Sequence, residues 1–550
     1  MAGSAVAERP VASLDDYRLG PLFLLLIVTF GLALLLPGLG GGTRVLTYHE
    51  VLFAKPAKEM LTTGDWIVPR FQGLAWEHKP PGNVWLLALS MLIFGSDAEW
   101  VVRLSAVLSS ILAAGCAASI AARWFGRLPG VTAGLMTLTS YYTLQLGRLG
   151  EADMPLVASV AVAMTLFCRS VVDSPLGRDR RWWLPPLFYL VLAGSALVKV
   201  IGAVLVPGAC GLYMMLRRDR QALRFLLNPL GLLVFATGLV AWPVAAYVLW
   251  PGVVELWETH LLGRYTGKLG SPNPWYFYLY ILPLIALPWT PWAALAGYRA
   301  GRSGEYPRPL ALLLCCWLLF GLAFLSISQW RWAHYAAPLV PPITIAAAIG
   351  LVKELEERHR SGNPATWRYL TAWLALIVGA VVLLMGDKPW RFSAVAVLGV
   401  VAAGLGLAYH FERQLKSKAV LAALFATAWL AIVVELTTIM PHFDSYRTYT
   451  ELAKRINARL ASGEVLHMVA LPQWQITYYL DTVTRPSRSV AQLAGRLSTS
   501  SVDTVHILTR RAEIPVLVSL GSVEELDTNE PPRPRQPKTE QLVLLRLTRR

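Results

Sequence analysis

Runs of about twenty apolar residues recur along the 550-residue chain, and no other feature constrains its fold as strongly. A helix of about that length spans the roughly 30 Å hydrocarbon core of a bilayer and makes all its backbone hydrogen bonds internally. The composition agrees, because 55% of the residues are hydrophobic and only 15% are charged, whereas soluble domains carry about 25% charged residues. The chain is therefore predicted to be an α-helical polytopic membrane protein.

Thirteen apolar runs are long enough to be assigned as transmembrane helices. Their predicted bounds are 20–39, 101–122, 129–147, 154–170, 184–199, 201–216, 227–250, 275–297, 309–327, 336–352, 369–386, 391–409 and 419–440. A further run at 82–95 has only about fourteen residues, a length that favours an interfacial or re-entrant helix. We place it on the outer surface, within a long loop covering about 40–100.

The formal net charge is +16, and Lys and Arg cluster in short loops between the apolar runs. These loops, for example around 123–127, 178–181 and 217–224, alternate so that they fall on the same side as the N-terminus. The positive-inside rule makes that side cytoplasmic, so the positive charge needs no nucleic acid to explain it. An odd number of spans then places the C-terminus on the opposite side.

After the last span the composition becomes that of a soluble domain. We therefore divide the chain into a transmembrane domain at 1–440 and a small α/β domain at 441–550. Periodicity predicts helices in TYTELAKRINARL and VAQLAGRL, and strands in EVLHMVAL, VDTVHIL and EQLVLLRL.

Charged residues concentrate in two segments that map to the outer face. The first, TYHEVLFAKPAKEMLTTGDWIVPRFQGLAWEHKPPGN, contains His49, Glu50 and Lys79; the second, RLGEADMPL, contains Asp153. A solvated loop is the simpler interpretation of the first segment, and helix capping is the simpler role for Asp153. Because both segments lie on one face, a carboxylate pair there can act as a general base and as a partner for a cation.

Two further outer segments carry cations next to aromatic residues. SISQWRWAHYAAPLVPP contains Arg331 and Tyr335, and THLLGRYTGK contains Arg264. Such cations suit a lipid-linked phosphate, although a snorkelling Arg in an aromatic belt, or contact with anionic headgroups, explains them equally well. The sequence has no Asp-x-Asp pair, P-loop or GxGxxG between a strand and a helix. A transferase of this kind should therefore use a donor that is already in the membrane.

The pattern resembles the GT-C superfamily of polyprenyl-phosphate-sugar-dependent glycosyltransferases, in the branch that holds the 4-amino-4-deoxy-L-arabinose lipid A transferases and the protein O-mannosyltransferases. The resemblance covers nearly the whole chain. It is strongest in YHEVLFAKPAKEMLTTGDWIVP with WEHKPPGNVW, in RLGEADMPL, in SISQWRWAHYAAPLVPP, and in SYRTYTELAKRINARLASGE leading into ITYYLDTVTRPS.

The resemblance implies three groups of site residues. The catalytic residues fall on His49, Glu50 and Asp153. The residues that bind the substrate fall on Lys79, Arg331 and Tyr335, and a divalent metal site falls on Glu77 and His260. From its place in the basic outer segment we add Arg264 to the residues that bind the substrate. This chain departs from the family at His49, where the family has its principal catalytic Asp. Either His49 is the base, or Glu50 or Asp153 is, or the acceptor is already ionised and needs none.

We expect an enzyme that moves a sugar from a polyprenyl-phosphate donor to a lipid A-like lipid, a glycan or a protein. The expected location is the periplasmic face of a bacterial inner membrane, with no nucleotide cofactor and no nucleic acid partner. The alternatives are a transporter or flippase of lipid-linked sugars, or a non-catalytic scaffold. Transporters place ionisable groups near the bilayer midplane, whereas here Lys199 is the clearest charge inside a span. The distribution of charge therefore favours an enzyme.

Overall fold

The structure is a computed structural model, in which a bundle of helices carries a small sheet at its C-terminal end. It describes residues 14–40, 45–76, 79–254, 273–303, 306–361, 391–439, 449–460, 464–471, 475–499, 502–529 and 541–549. Within these ranges, eight helices are long and apolar enough to cross a membrane, or nine if one bent pair forms a single span. The predicted fold class, a polytopic helical membrane protein, is confirmed. The predicted span at 369–386 lies outside the described residues.

The helices before the sheet are numbered in chain order. They are α1 (Pro21–Leu35), α2 (Tyr48–Thr63), α3 (Gly82–Phe94), α4 (Glu99–Phe125), α5 (Arg127–Leu138), α6 (Tyr141–Leu146), α7 (Asp153–Val171), α8 (Leu184–Val198), α9 (Ile201–Arg217), α10 (Arg220–Leu226), α11 (Pro229–Leu249), α12 (Phe277–Ile285), α13 (Thr290–Ser303), α14 (Arg308–Ile327), α15 (Val340–Ser361), α16 (Arg391–Arg413) and α17 (Ser417–Val434). A two-stranded hairpin, β1 (Arg70–Phe71) and β2 (Leu74–Ala75), lies between α2 and α3. A 3-10 helix, Ala333–Leu339, leads into α15.

Two of the predicted single spans are interrupted. The run at 129–147 forms α5 and α6, separated by Thr139 and Ser140, whose hydroxyls donate to the carbonyls of the preceding turn. The run at 275–297 forms α12 and α13, which are bent by 105° to each other. Pro288 and Pro291 lie at this bend, and proline cannot donate to a helical ladder. Hydropathy alone does not register such breaks.

Helix α4 lies at the centre of the bundle and packs against α1, α3, α5, α7 and α15. Small residues allow α5 to approach it closely, as is usual between membrane helices. At Gly130, an added Cβ would lie 2.6 Å from Cβ of Ala122, closer than atoms can pack. Gly115 on α4 would meet nothing within 4 Å.

Acidic residues pair with the basic loops at the end of the bundle opposite to the start of α7. Arg178 lies 2.7 Å from Asp173 and 2.8 Å from Asp219, and Arg169 lies 3.3 Å from Asp179. The predicted grouping of several basic loops on one side is therefore present in the structure.

From Thr450 onward the chain forms an α/β unit. Its helices α18 (Thr450–Arg459), α19 (Val490–Ser498) and α20 (Ile514–Leu517) accompany β3 (Val465–Val469), β4 (Val483–Ser487), β5 (Thr504–Arg510), β6 (Gly521–Thr528) and β7 (Leu542–Arg549). The sheet order is β4-β3-β5-β7-β6, in which β3 is parallel to β4 and β5, and β7 is antiparallel to β5 and β6.

Both helices and all three strands predicted for this region are present. The two strands that the sequence did not indicate, β4 and β6, are the outer strands of the sheet. Their sequences, VTRPS and GSVEELDT, are polar and lack a continuous apolar pattern. Edge strands tolerate such sequences because one side faces solvent.

Replacing Gly130 with Ala should lower the free energy of unfolding by about 1–3 kcal/mol, because the new methyl group must separate α4 and α5. The Gly115→Ala variant is the control and should be neutral or slightly stabilising, since its methyl group has open space. Thermal unfolding in detergent measures both. Equal effects would contradict the close packing of α4 and α5.

Candidate active site

A fully buried ion pair joins α2 to α4. The Glu50 carboxylate accepts from Arg103 Nε at 2.7 Å and from Arg103 Nη2 at 2.9 Å, and the two side chains are 0% and 1% exposed. Arg103 also donates to the carbonyl oxygens of Leu39 and Val45. The pair therefore fixes the end of the segment after α1 against the two helices.

Glu50 also closes the N-terminus of α2. It accepts from the backbone N–H of Thr47 at 2.8 Å, while the Thr47 hydroxyl accepts from the N–H of Glu50, which is a capping box. Burial alone would raise the pKa of Glu50, but Arg103 and these N–H donors hold it below its usual value. His49 is the second residue of α2 and lies beside this buried arrangement with its side chain partly exposed.

A third contact joins the loop before α7 to the carboxylate of Glu50. The backbone N–H of Gly150 donates to Glu50 Oε1 at 2.9 Å. The two predicted acidic segments, one at 49–50 and one at 151–153, are therefore adjacent in space. With four donors on its two oxygens, Glu50 is placed to organise the site, and no oxygen is left for proton exchange.

Asp153 begins α7 and forms a second ion pair. Its Oδ1 accepts from Lys199 Nζ at 2.7 Å, and the two side chains are 5% and 12% exposed. Lys199 reaches Asp153 from the break between α8 and α9, and its ammonium lies 4.8 Å from the centre of the Tyr335 ring. Asp153 makes no side-chain cap to α7, so this pairing replaces the capping role that the sequence allowed.

The remaining charges of the site surround this pair. Lys79 lies 4.5 Å from the centre of the Phe53 ring on α2. His334 contacts Tyr335 edge-on with ring centres 4.7 Å apart. Asp153 interacts electrostatically with Lys79 and with His334. We call His49, Lys79, Asp153, Lys199, His334 and Tyr335 the outer chamber.

The pKa values of two groups at the chamber are shifted, those of His49 near the start of α2 and of Glu151 in the loop before α7. Burial lowers the pKa of His49, Lys79 and Lys199 lower it further, and Asp153 partly opposes them. His49 is therefore neutral near pH 7 and has a free lone pair. Burial, and then the negative charge of Asp153, raise the pKa of Glu151 well above its usual range.

Arg331 lies beside the chamber, held by backbone carbonyls. Its guanidinium donates to Ser326 O at 3.2 Å and to Asn273 O at 3.0 Å, and its own carbonyl accepts from Asn273 Nδ2 at 2.9 Å. These bonds tie the chain before α12 to the segment that leads into the 3-10 helix. Tyr335, also predicted, is buried against Lys199.

Three predicted residues, Glu77, His260 and Arg264, lie outside the described residues. The proposed metal pair of Glu77 and His260 therefore stays a prediction.

The structure adds residues that sequence reasoning did not assign. Arg103 looked like an ordinary residue near the start of an apolar run, and Lys199 was noted only as a charge inside a span. An Arg or Lys within an apolar run is expensive unless paired, so each signalled a buried partner. His334 and Glu151 stood in the quoted motifs without an assigned role.

Residues 78–250 match the family model described as dolichyl-phosphate-mannose-protein mannosyltransferase. Among curated relatives, the undecaprenyl phosphate-alpha-4-amino-4-deoxy-L-arabinose arabinosyl transferase of Pseudomonas aeruginosa is 28% identical over 395 residues, 66% of each chain. The transferase of the same name from Aeromonas hydrophila is 26% identical over 488 residues, covering 86% of this chain and 82% of the relative. The chain spans 60–66% of the length of the first relatives it matches.

Solved structures share the fold. ArnT from Cupriavidus metallidurans bound to undecaprenyl phosphate superposes with a TM-score of 0.77 at 19% identity, covering 95% of this chain and 97% of that chain. The oligosaccharyltransferase of Archaeoglobus fulgidus gives a TM-score of 0.50 at 12% identity, covering 90% and 69%. The resemblance to GT-C glycosyltransferases that the motifs indicated is confirmed, and the chain has the fold of ArnT.

The Arg103→Leu variant should lose about 3–5 kcal/mol of stability, because it leaves the Glu50 carboxylate buried without its cation. The control is Arg70→Leu, which removes a partly exposed pair with Asp65 and should cost no more than about 1 kcal/mol. Thermal unfolding in detergent compares them. Similar losses in the two variants would show that Glu50 is not stabilised by Arg103.

The titration of His49 should respond to its neighbours with opposite signs. Lys79→Met removes a cation and should raise the pKa of His49, whereas Asp153→Asn removes an anion and should lower it. Because neutral imidazole reacts with diethyl pyrocarbonate, the pH dependence of labelling at His49, followed by peptide mass spectrometry, reports the shift. Midpoints that do not move in either variant would remove His49 from the chamber.

Proposed function

We propose that this chain is an integral membrane glycosyltransferase that transfers a sugar from an undecaprenyl-phosphate donor to an acceptor at the periplasmic face of a bacterial inner membrane. The acceptor class is a lipid A-like lipid, a glycan or a protein. The observation that carries the proposal is the outer chamber, where two lysines, two histidines and an aspartate meet at the ends of membrane helices. The fold shared with ArnT and the names of the curated relatives support it.

The chamber suits an anionic, lipid-linked donor. Lys199, whose ammonium lies at the start of α7, and Lys79, beside α2, supply two cations that both interact electrostatically with Asp153. A phosphate gains charge-assisted hydrogen bonds from such ammonium groups. In the free protein Asp153 balances Lys199 at 2.7 Å, which keeps the ammonium at the site where the phosphate would bind.

Sugar transfer requires one bond to form and one to break. The acceptor oxygen bonds to the anomeric carbon while the bond from that carbon to the phosphate oxygen breaks, and the electron pair leaves with undecaprenyl phosphate. Lys199 and Lys79 stabilise the charge that develops on this phosphate. Neutral His49 takes the proton of a hydroxyl acceptor, and an ionised acceptor needs no such transfer. The resemblance to the family implies inversion at the anomeric carbon.

The orientation follows from charge. If the basic loops around Arg178 and Arg217 are cytoplasmic, the chamber and the C-terminal sheet are periplasmic. A lipid-linked donor then approaches from the bilayer, and a periplasmic acceptor approaches from the aqueous side.

The direct test incubates purified protein with labelled undecaprenyl-phosphate-linked 4-amino-4-deoxy-L-arabinose and a lipid A acceptor, and follows release of undecaprenyl phosphate. We expect Lys199→Met and Asp153→Asn each to lower the rate by about 10²-fold or more, because each breaks the buried pair at the phosphate site. The control Lys454→Met removes an exposed lysine of α18 and should leave the rate unchanged. Intact donor with wild-type protein would contradict transfer of this sugar, and full activity of both variants would contradict the assigned site.

A further inference from the structure

The phenol group of Tyr479 in the C-terminal unit contacts the beginnings of α2 and α4. The Tyr479 hydroxyl accepts from the backbone N–H of Leu46 at 2.9 Å and donates to Glu99 Oε1 at 3.1 Å. Its ring packs against both the core of the helical bundle and the core of the C-terminal unit. Burial, and then the charge of Glu99, raise the pKa of Tyr479, so the hydroxyl keeps its proton throughout the physiological range.

Both partners of this hydroxyl stand at the beginning of a helix that builds the chamber. Leu46 directly precedes Thr47, the cap of α2, and so lies three residues before His49. Glu99 is the first residue of α4, one turn before Arg103, which holds Glu50. Tyr479, Leu46, Glu50, Arg103 and Glu99 thus close a ring of contacts, and Arg103 interacts electrostatically with both Glu99 and Tyr479.

The C-terminal unit holds Tyr479 from its other side. The side-chain amide of Asn457, on α18, donates to the carbonyl oxygen of Tyr479 at 3.0 Å. The neighbouring Tyr478 is 2% exposed and donates its hydroxyl to the carbonyl oxygen of Asp97. These contacts hold the backbone of Tyr479 in place. Its hydroxyl can therefore hold the beginnings of α2 and α4 in fixed positions.

The same junction contains an ion-pair cluster whose side chains are more exposed than that of Tyr478. Lys58 lies 2.7 Å from Asp97 and 3.9 Å from Asp481, whose side chain is 73% exposed. Pairs of this exposure contribute little free energy. The exposed pairs offer a control that leaves the hydroxyl of Tyr479 in place.

We propose that Tyr479 is a positioning residue through which the C-terminal unit sets the placement of His49 against Asp153 and Lys199. The inference rests on the proposed function only for its kinetic consequence. A displacement of a reacting group by about 1 Å can cost on the order of 10²-fold in rate. Losing one bridging hydroxyl should therefore slow the chemical step more than it weakens donor binding, because the hydroxyl acts on Leu46 and Glu99, whereas the phosphate is assigned to Lys199 and Lys79.

The Tyr479→Phe variant keeps the ring and removes both hydrogen bonds. We expect kcat to fall by about tenfold or more, with the donor KM within about twofold of wild type. Glu99→Gln keeps an oxygen acceptor and should retain most of kcat, whereas Glu99→Ala should resemble Tyr479→Phe. The double variant Tyr479→Phe with Glu99→Ala should be no slower than either single variant, since one bridge is removed in each.

Asp481→Asn is the matched control, because an amide nitrogen can replace the oxygen that faces Lys58 while the remaining oxygen still accepts from Asn457, the residue that also holds the carbonyl of Tyr479. We expect wild-type kcat from it. A kcat of Tyr479→Phe within twofold of wild type would overturn the proposal. A loss of activity equal in Asp481→Asn and Tyr479→Phe would overturn it as well, since loose docking would then explain both.

Amide hydrogen exchange tests the positioning role without any assay of turnover. In Tyr479→Phe, exchange should accelerate at residues 45–51 while β3 and β5 stay protected. Unchanged exchange at 45–51, or loss of protection throughout the sheet, would contradict the proposal. If wild-type protein consumes no donor, the proposed function fails and this exchange result alone decides the role of Tyr479.

Discussion

The buried ion pair between Glu50 and Arg103 is the interaction on which the site depends. Charges taken out of water are costly unless every hydrogen-bonding position is filled, and here the carboxylate receives four donors from three parts of the chain. Those parts are α4, the start of α2 and the loop before α7. The hydrogen-bonding geometry of one carboxylate thus sets the relative positions of these three parts. Apolar packing between membrane helices alone would define those positions less specifically.

The charged groups of the outer chamber, next to this pair, are held by contacts with one another and can still bind a ligand. Asp153 and Lys199 are paired with each other at 2.7 Å, so neither needs a ligand for the protein to fold. An incoming phosphate can share Lys199 while Asp153 still interacts electrostatically with a second cation, Lys79. His49, kept neutral by burial and by its cationic neighbours, is placed to accept a proton without adding negative charge near a departing phosphate.

Much of the fold could be predicted because its signals are local. Apolar length revealed the helical bundle, although thirteen spans were predicted and eight helices of the described residues, or nine with the bent pair, are long and apolar enough to cross a membrane. Periodicity revealed α18, α19 and three strands. The bend between α12 and α13 was not predicted, because it interrupts a uniformly apolar run. Strands β4 and β6 were not predicted either, because they are polar strands at the edges of the sheet.

Several residues of the site could be predicted from the sequence, but their roles could not. Motifs brought attention to His49, Glu50, Asp153 and Tyr335, but roles depend on partners that are distant in sequence. Glu50 was grouped with the catalytic acids because of its place in the motif. The motif alone does not show that Arg103, 53 residues away, forms an ion pair with it. Lys199 was visible only as an isolated charge, and its pairing with Asp153 across 46 residues emerges from the packing of α7 against α8 and α9.

The central claim is that the charges at the outer ends of α2, α7 and α8 form one binding site for a lipid-linked phosphate. An experimental structure with undecaprenyl phosphate bound measures this most directly. The account predicts a phosphate oxygen within about 3 Å of Lys199 Nζ, with Lys79 on the same phosphate. A phosphate bound among the arginines at the opposite end of the bundle, with the pair of Asp153 and Lys199 undisturbed, would contradict it.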